Sequence, residues 1–254
     1  MDNSKQDSKV LVEINNKIAR VKFFNSKSNS FPSHQLNSLI SEFDKLAKNA
    51  EISVIVLESE GEKVFSAGAS FDELLAIENL EEAKDFFYGF GRLILSMRSC
   101  PKLILTKVQG KAVGGGVGII AASDYVIAHT SASIKLSELS IGFAPFVIAP
   151  IIESKLGKSA FANMAIDADW RDAEWAKENG LYAQVCSTQE ELNNKVDELA
   201  KKIADYNLDA VLNFKSILNQ DIVEWKNLLA DRALTSAKLS QSEFTQEILR
   251  NFKK

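Results

Sequence analysis

The sequence predicts an α/β fold, with a mixed core over residues 1–185 and a helical C-terminal region over residues 186–254. Three observations carry that reading. Short β-branched runs alternate with stretches whose apolar residues recur at helical spacing as far as about residue 185. Beyond that point only the helical spacing recurs. Between a strand-like run and an apolar, alanine-containing helical run stands Gly114-Gly115-Gly116, where the backbone must turn tightly and expose bare amides.

In chain order, Val10–Ile14 and Ile18–Phe24 are β-rich runs joined by Asn15-Asn16-Lys17, the signature of a hairpin. Pro32-Ser33 then opens a helix, with Leu36, Leu39, Ile40, Phe43, Leu46 and Ala47 on one face. Ile52–Leu57 is a nearly continuous β-branched run, typical of a strand covered on both faces, and strand-helix-strand order implies a right-handed parallel crossover. Ala67-Gly68-Ala69-Ser70 would let the backbone approach something closely before Asp72 and Glu73 open a helix. Phe86–Met97 is helical as far as Ser99-Cys100-Pro101, Leu103–Val108 is the next strand, and the glycine segment follows at once. Tyr125–Ala128 and Ser133–Leu136 read as strands. Helical spacing returns at Ser159–Ile166, Asp172–Asn179, Glu190–Asn207 and from Leu208 to Phe252.

Composition bounds the function. With 46% hydrophobic and 25% charged residues, the chain can bury one sizeable core, with or without a small appendage. A net charge of -4 with dispersed basic residues leaves no electrostatic footprint for nucleic acid or an anionic membrane. The polar N-terminus and the shortness of the apolar runs, against the roughly 20 residues a span needs, place the protein in the cytoplasm as an expectation. Cys100 and Cys186 follow no CxxC pattern, and His34 and His129 are the only histidines, so neither a disulfide framework nor a metal site is expected.

Two readings of the glycine triplet stay open. Its amides either hold a phosphate or oxyanion at a helix N-terminus, or the missing side chains let helix and strand pack closely. The spacing is neither GxGxxG nor a P-loop. Glu138 likewise has two readings. Followed by Leu139, Ile141, Gly142, Phe143, Ala144, Pro145 and Phe146, it is either a carboxyl with a raised pKa that moves protons near neutrality, or a capping or surface glutamate.

Phe65-Ser66-Ala67-Gly68-Ala69-Ser70-Phe71, then Val108-Gln109-Gly110-Lys111-Ala112-Val113-Gly114-Gly115-Gly116, then Ala122-Ser123-Asp124-Tyr125-Val126-Ile127-Ala128 resemble, in order and spacing, the signature blocks of the crotonase (enoyl-CoA hydratase/isomerase) superfamily. Leu136–Gly142 and Asp172–Leu181 extend the resemblance over nearly the whole chain. It implies a spiral of ββα units with a helical C-terminal trimerisation region, assembled as a homotrimer or a hexameric dimer of trimers. It also implies an acyl-CoA thioester substrate and no separate cofactor, since coenzyme A is part of that substrate. By position, the amides of Ala69 and Gly115 would hold the thioester oxygen as the α-carbon gains enolate character. Ser66, Ala67, Gly68, Gly114 and Gly118 would lie in the substrate-binding segments around them. Arg250, Lys253 and Lys254 read as a charged tail, with a coenzyme A phosphate contact across a subunit boundary as the alternative that the same analogy offers.

The hydratases that the chain resembles carry two glutamates, one two residues after the glycine triplet and one twenty residues later. Here the first position is Gly118 and the second is Glu138. A lone glutamate resembles the arrangement in the superfamily's Δ3,Δ2-enoyl-CoA isomerases, as does Gly142-Phe143-Ala144-Pro145-Phe146. Double-bond isomerisation with Glu138 as the single acid/base is therefore the expected reaction. Hydration, decarboxylation of an acyl thioester and non-catalytic acyl-CoA binding are the alternatives.

Overall fold

The computed structural model describes residues 8–251; Phe252, Lys253 and Lys254 lie outside the described residues. Strands β1 (Ser8–Asn15) and β2 (Ile18–Asn25) form the expected antiparallel hairpin, with Asn15 opposite Ile18. Asn16 and Lys17 both take positive φ, 48° and 64°, as does the two-residue turn whose twist matches its strands. After α1 (Ser33–Lys48), β3 (Val54–Ser59) pairs parallel with β2 and is buried along its whole length.

From β3 onward the chain repeats one step three times. β3 adds to a large sheet, and β4 (Val64–Ser66) starts a small one. β5 (Leu103–Val108) and β6 (Lys111–Val113) make the second step, and β7 (Tyr125–His129) and β8 (Ile134–Lys135) the third. With β9 (Gln184–Cys186) at its edge, the large sheet has the order β1-β2-β3-β5-β7-β9, and the small sheet runs β4-β6-β8. Among the described residues, apart from the opening hairpin, the named strands pair parallel. The helices α2 (Phe71–Ala76) and α3 (Leu80–Ser99) link the first step to the second, and α4 (Gly115–Ala121) links the second to the third. This is the spiral of ββα units. Four of its strands have two or three residues, too few to show an alternating pattern, so only Ser133–Leu136 among them had a sequence signal.

Helix α5 (Ala149–Asp167) begins ten residues before the predicted Ser159. Pro150 in its first turn and the kink at Gly157 (φ 74°) broke up the periodicity that would have shown it. Short α6 (Ala173–Glu178) is capped by the Asp172 side chain, which accepts from Trp175 N at 2.8 Å. Helix α7 (Gln189–Ala204) covers one face of the large sheet, packing Leu192, Val196, Ala200 and Ile203 on Val54, Val56, Leu105 and Ile127.

The stretch read as one long helical run from Leu208 is three helices: α8 (Leu208–Leu218), α9 (Ile222–Ser240) and α10 (Glu243–Asn251). α9 folds back along α3, so Trp225, Leu229, Ala233 and Ala237 share one core with the first strands. α8 projects Leu212, Phe214, Ile217 and Leu218 outward and turns Lys215 inward. Lys215 Nζ donates to Asp124 Oδ2 at 2.7 Å and to the carbonyls of Lys102 and Met97 at 2.7 and 3.3 Å. Asp124 also accepts from Ile104 N at 2.7 Å, which ties the end of α4, β5 and α8 together. Among the described residues no helix is long and apolar enough to cross a membrane.

Breaking a buried pair strands the surviving charge. Lys215→Met should therefore destabilise the protein by about 3–5 kcal/mol in urea unfolding, and adding Asp124→Asn should recover part of that loss.

Candidate active site

Each strand of the small sheet ends in a residue that the sequence singled out. Because β4, β6 and β8 are parallel, Ala69, Gly115 and Glu138, each two or three residues past a strand end, emerge at the same edge of the sheet. The carboxyl ends of parallel strands are where such folds commonly gather a ligand.

Beyond β4, Ser66 is buried and its hydroxyl is fully used, donating to Asn29 O at 2.8 Å and accepting from Gly68 N at 3.0 Å. Gly68 has φ 84°, and a Cβ on it would stand 2.7 Å from Val113 O, so the two loops touch backbone to backbone. Gly68 O accepts from Phe31 N at 2.7 Å, and Ser70 N donates to Phe31 O at 3.2 Å. Ala69 N–H, between them, has no acceptor among the described residues.

Beyond β6, Gly114 N donates to Lys135 O at 2.9 Å, and its φ of 51° with ψ of -116° suits glycine alone. A Cβ there would stand 2.7 Å from Glu138 Oε1. Gly114 O accepts from Val117 and Gly118, whereas Gly115 N–H, at the start of α4, has no acceptor among the described residues. Any side chain at Gly115 would overlap the Phe90 ring. The glycines thus permit close packing, and that packing leaves an amide bare.

Beyond β8, a single 3₁₀ turn (Glu138–Ile141) holds the carboxylate and closes on Gly142 at φ 99°, with Phe143 N donating to Glu138 O at 3.2 Å. Gly142 sits against Thr245 and Phe244 of α10. Glu138 is buried, and its Oε2 has no hydrogen-bond partner among the described residues. Burial pushes its pKa from 4.5 up to about 7, and the N–H groups of Glu138 and Ser137 pull it only part of the way back.

Ala69, Gly115 and Glu138 meet in one cavity of about 40 Å³, walled by Phe87 and Phe90 of α3, by residues 143–148 and by Ser236 of α9. Glu138 and Ser236 are the only polar side chains among the described residues that line it. Ala67 and Ala69 also line an adjoining groove of about 250 Å³ with Lys27, Ser30, Asp72 and Leu249. Ser66 and Gly68 lie behind these two alanines as supports, and Gly114 lies against Glu138. Gly118 stands a turn into α4, its α-carbon facing Ile148, whose side chain fills the space a residue there would enter.

The part of the wall that follows Glu138, Phe143 to Phe146, stood out in the sequence, whereas Phe90 lay unmarked within a helical run and Ser236, a small residue nearly a hundred positions from Glu138, carried no signal.

The architecture defines a class first. A solved structure titled enoyl-CoA hydratase from Bacillus halodurans superposes with a TM-score of 0.88, covering 95% of this chain and 99% of that one at 19% identity, so the fold is crotonase-like. The enoyl-CoA hydratase/isomerase family profile matches residues 13–252, and the chain belongs to that family. Its relatives include a peroxisomal delta(3,5)-delta(2,4)-dienoyl-CoA isomerase of Arabidopsis thaliana, 26% identical over 74% of each chain. Another is a carnitinyl-CoA dehydratase of Salmonella paratyphi A, 27% identical over 80% of this chain and 77% of the relative.

The raised pKa has a consequence for stability. Folding favours protonated Glu138, so its favourable contribution is complete below the free value of 4.5 and is lost as pH rises through about 7. Glu138→Gln removes the ionisation. The variant should match the parent near pH 4 and exceed it by about 3 kcal/mol above pH 8, seen as a Tm difference that grows with pH in calorimetry.

Proposed function

We propose that the protein isomerises the double bond of an enoyl-CoA thioester, with Glu138 as the single acid/base and the amides of Ala69 and Gly115 as the oxyanion hole. The observation that carries this is the meeting of two unpaired N–H groups with one unpaired carboxyl oxygen in a single cavity. In the reaction the Glu138 carboxylate takes a proton from the α-carbon of a 3-enoyl thioester. The C–H electron pair forms a double bond to the carbonyl carbon, and negative charge grows on the thioester oxygen between the two amides. The carboxyl then returns the same proton to the γ-carbon, the double bond shifts to the α,β position, and the oxygen gives up its charge. A group near pKa 7 suits both halves, because it gives and takes a proton with little driving force lost.

Among the described residues no second carboxylate lines the cavity, which favours a one-base reaction over two-carboxylate hydration. Gly118 in place of a glutamate, with Ile148 filling that space, supports the same choice. Hydration is the second reading, favoured by one observation: Ser236 lines the cavity beside Glu138, and its hydroxyl is able to hold a water there. For coenzyme A the reading places the thioester arm in the groove over Ala67 and Ala69, with Ser66, Gly68 and Gly114 holding the two loops in place and Gly118 admitting Ile148.

Glu138→Gln should lower turnover of a 3-enoyl-CoA by about 100- to 10,000-fold, and parental kcat/KM should rise with pH and level off above about 7. Gly115→Ala should lower kcat by about 100- to 1,000-fold by displacing the amide. Incubation with 3-enoyl-CoA and 2-enoyl-CoA in heavy-oxygen water separates the readings: oxygen incorporation without double-bond migration would sink the isomerase.

The same proposal includes assembly. α8 and the start of α9 expose Phe214 (54%), Ile217 (62%) and Val223 (81%), an apolar surface suited to burial between subunits of a homotrimer or a dimer of trimers. Sedimentation should give three or six times the mass of one chain, and Ile217→Asp should shift it toward one; a monomeric parent contradicts the assembly.

A further inference from the structure

The turn that carries Glu138 is weakly held from within. Its internal bonds, Ser140 N on Ser137 O at 3.1 Å and Gly142 N on Leu139 O at 3.4 Å, have the poorer geometry of a 3₁₀ helix, and Leu139 and Ser140 are exposed. Gly142 closes the turn without a side chain, and α10 fills the space beside it. A Cβ on Gly142 would overlap Thr245 Oγ1 and stand 3.0 Å from Phe244 Cδ1. Thr245 is fully buried and is itself fixed by Ser242, whose Oγ donates to Thr245 Oγ1 at 3.0 Å and accepts from Thr245 N at 3.3 Å. Gln246 Nε2 donates to Ser240 O at 2.9 Å and so ties the start of α10 to the end of α9.

The same face of α10 reaches the groove. Leu249, one helical turn after Thr245, is fully buried and lines the groove together with Ala67 and Ala69. α10 also packs on α2, the helix that begins two residues after Ala69. One short helix therefore touches both the turn of Glu138 and the segment of Ala69. Gly114 lies flush against Glu138 Oε1, so backbone stops the carboxyl there while Thr245 stops its turn. Taking away the Thr245 side chain opens space beside Gly142. A turn with long internal bonds relaxes into such space, and water follows the carboxyl.

Resting on the proposed function, we infer that Thr245 is a positioning residue for Glu138, and that α10 is the brace holding the carboxyl in register with the groove over Ala67 and Ala69. The test compares kcat, KM and pH dependence of the parent, Thr245→Ala and Thr245→Ser on a 3-enoyl-CoA. A small misplacement of the acid/base is expensive, so Thr245→Ala should lower kcat by about 10- to 100-fold with KM little changed. Thr245→Ser, which keeps the hydroxyl, should restore most of the loss. No other titratable side chain among the described residues lines the cavity, so the midpoint of the kcat/KM profile reports Glu138. Burial is what raises that midpoint, and a wetter carboxyl in Thr245→Ala should titrate about one pH unit lower, a tenfold change in proton affinity. A helix that merely adds stability leaves the midpoint in place. A folded Thr245→Ala with parental kcat, or with the parental midpoint, overturns the inference. Should that variant fail to fold, Ser242→Ala, which frees the Thr245 side chain, should move the profile in the same direction and is judged by the same outcomes. A second measurement does not depend on turnover: the stability that Glu138→Gln adds above about pH 8 should be smaller in the Thr245→Ala background. If the parent is inactive on every enoyl-CoA and that difference still shrinks, the reaction assignment fails and the brace stands. An unchanged difference overturns the brace, whatever the turnover.

Discussion

One oxygen of the Glu138 carboxyl is buried with no hydrogen-bond partner among the described residues, and much of the molecule serves to keep it there. Burying such a group unpaired costs on the order of 1–3 kcal/mol or more, so it persists only where surrounding packing over-determines it. Here the 3₁₀ turn that carries Glu138 is clamped by α10 through Gly142 and by α9 through Phe146, while Gly114 lies flush against the other carboxyl oxygen. A methyl group at position 114 would occupy the carboxyl's own place. The most acid-sensitive group of the cavity thus rests on the most conformationally demanding backbone.

The repeated step of the spiral explains why three distant residues meet. Every turn lays one strand in the large sheet and one in the small sheet, and the small strands are parallel. Whatever follows each small strand by two or three residues is delivered to the same edge. Two turns supply amides and the third supplies a carboxylate. The large sheet, with α7 on one face and the main core on the other, is the rigid frame against which these loop ends are registered.

How much of this was legible depended on the length of each signal. The hairpin, α1 and β3 were readable because each runs through at least six residues with a clear period or, in β3, an unbroken β-branched run. Strands of two or three residues have no period to detect, and α5 hid its first ten residues behind Pro150 and Gly157. Ala69, Gly115 and Glu138 were found through linked motifs, since bare amides leave no mark in composition. Of the cavity wall, Phe143 to Phe146 were readable beside Glu138, whereas Phe87 and Phe90 differ from other core phenylalanines only in what they face. Ser236 and Arg232 reach the site through the fold-back of α9, a tertiary event that local sequence does not encode.

That fold-back also sets the order in which the molecule can be completed. By the time residue 222 leaves the ribosome, both sheets, the glycine turn and Glu138 have already been made, but the apolar face of α3 that Leu229 and Ala233 will cover is still bare. A chain stopped short of α9 would present that face to other nascent chains, the condition under which partly folded species associate. Helix α9 therefore both adds Ser236 to the cavity wall and covers the apolar face that α3 would otherwise expose.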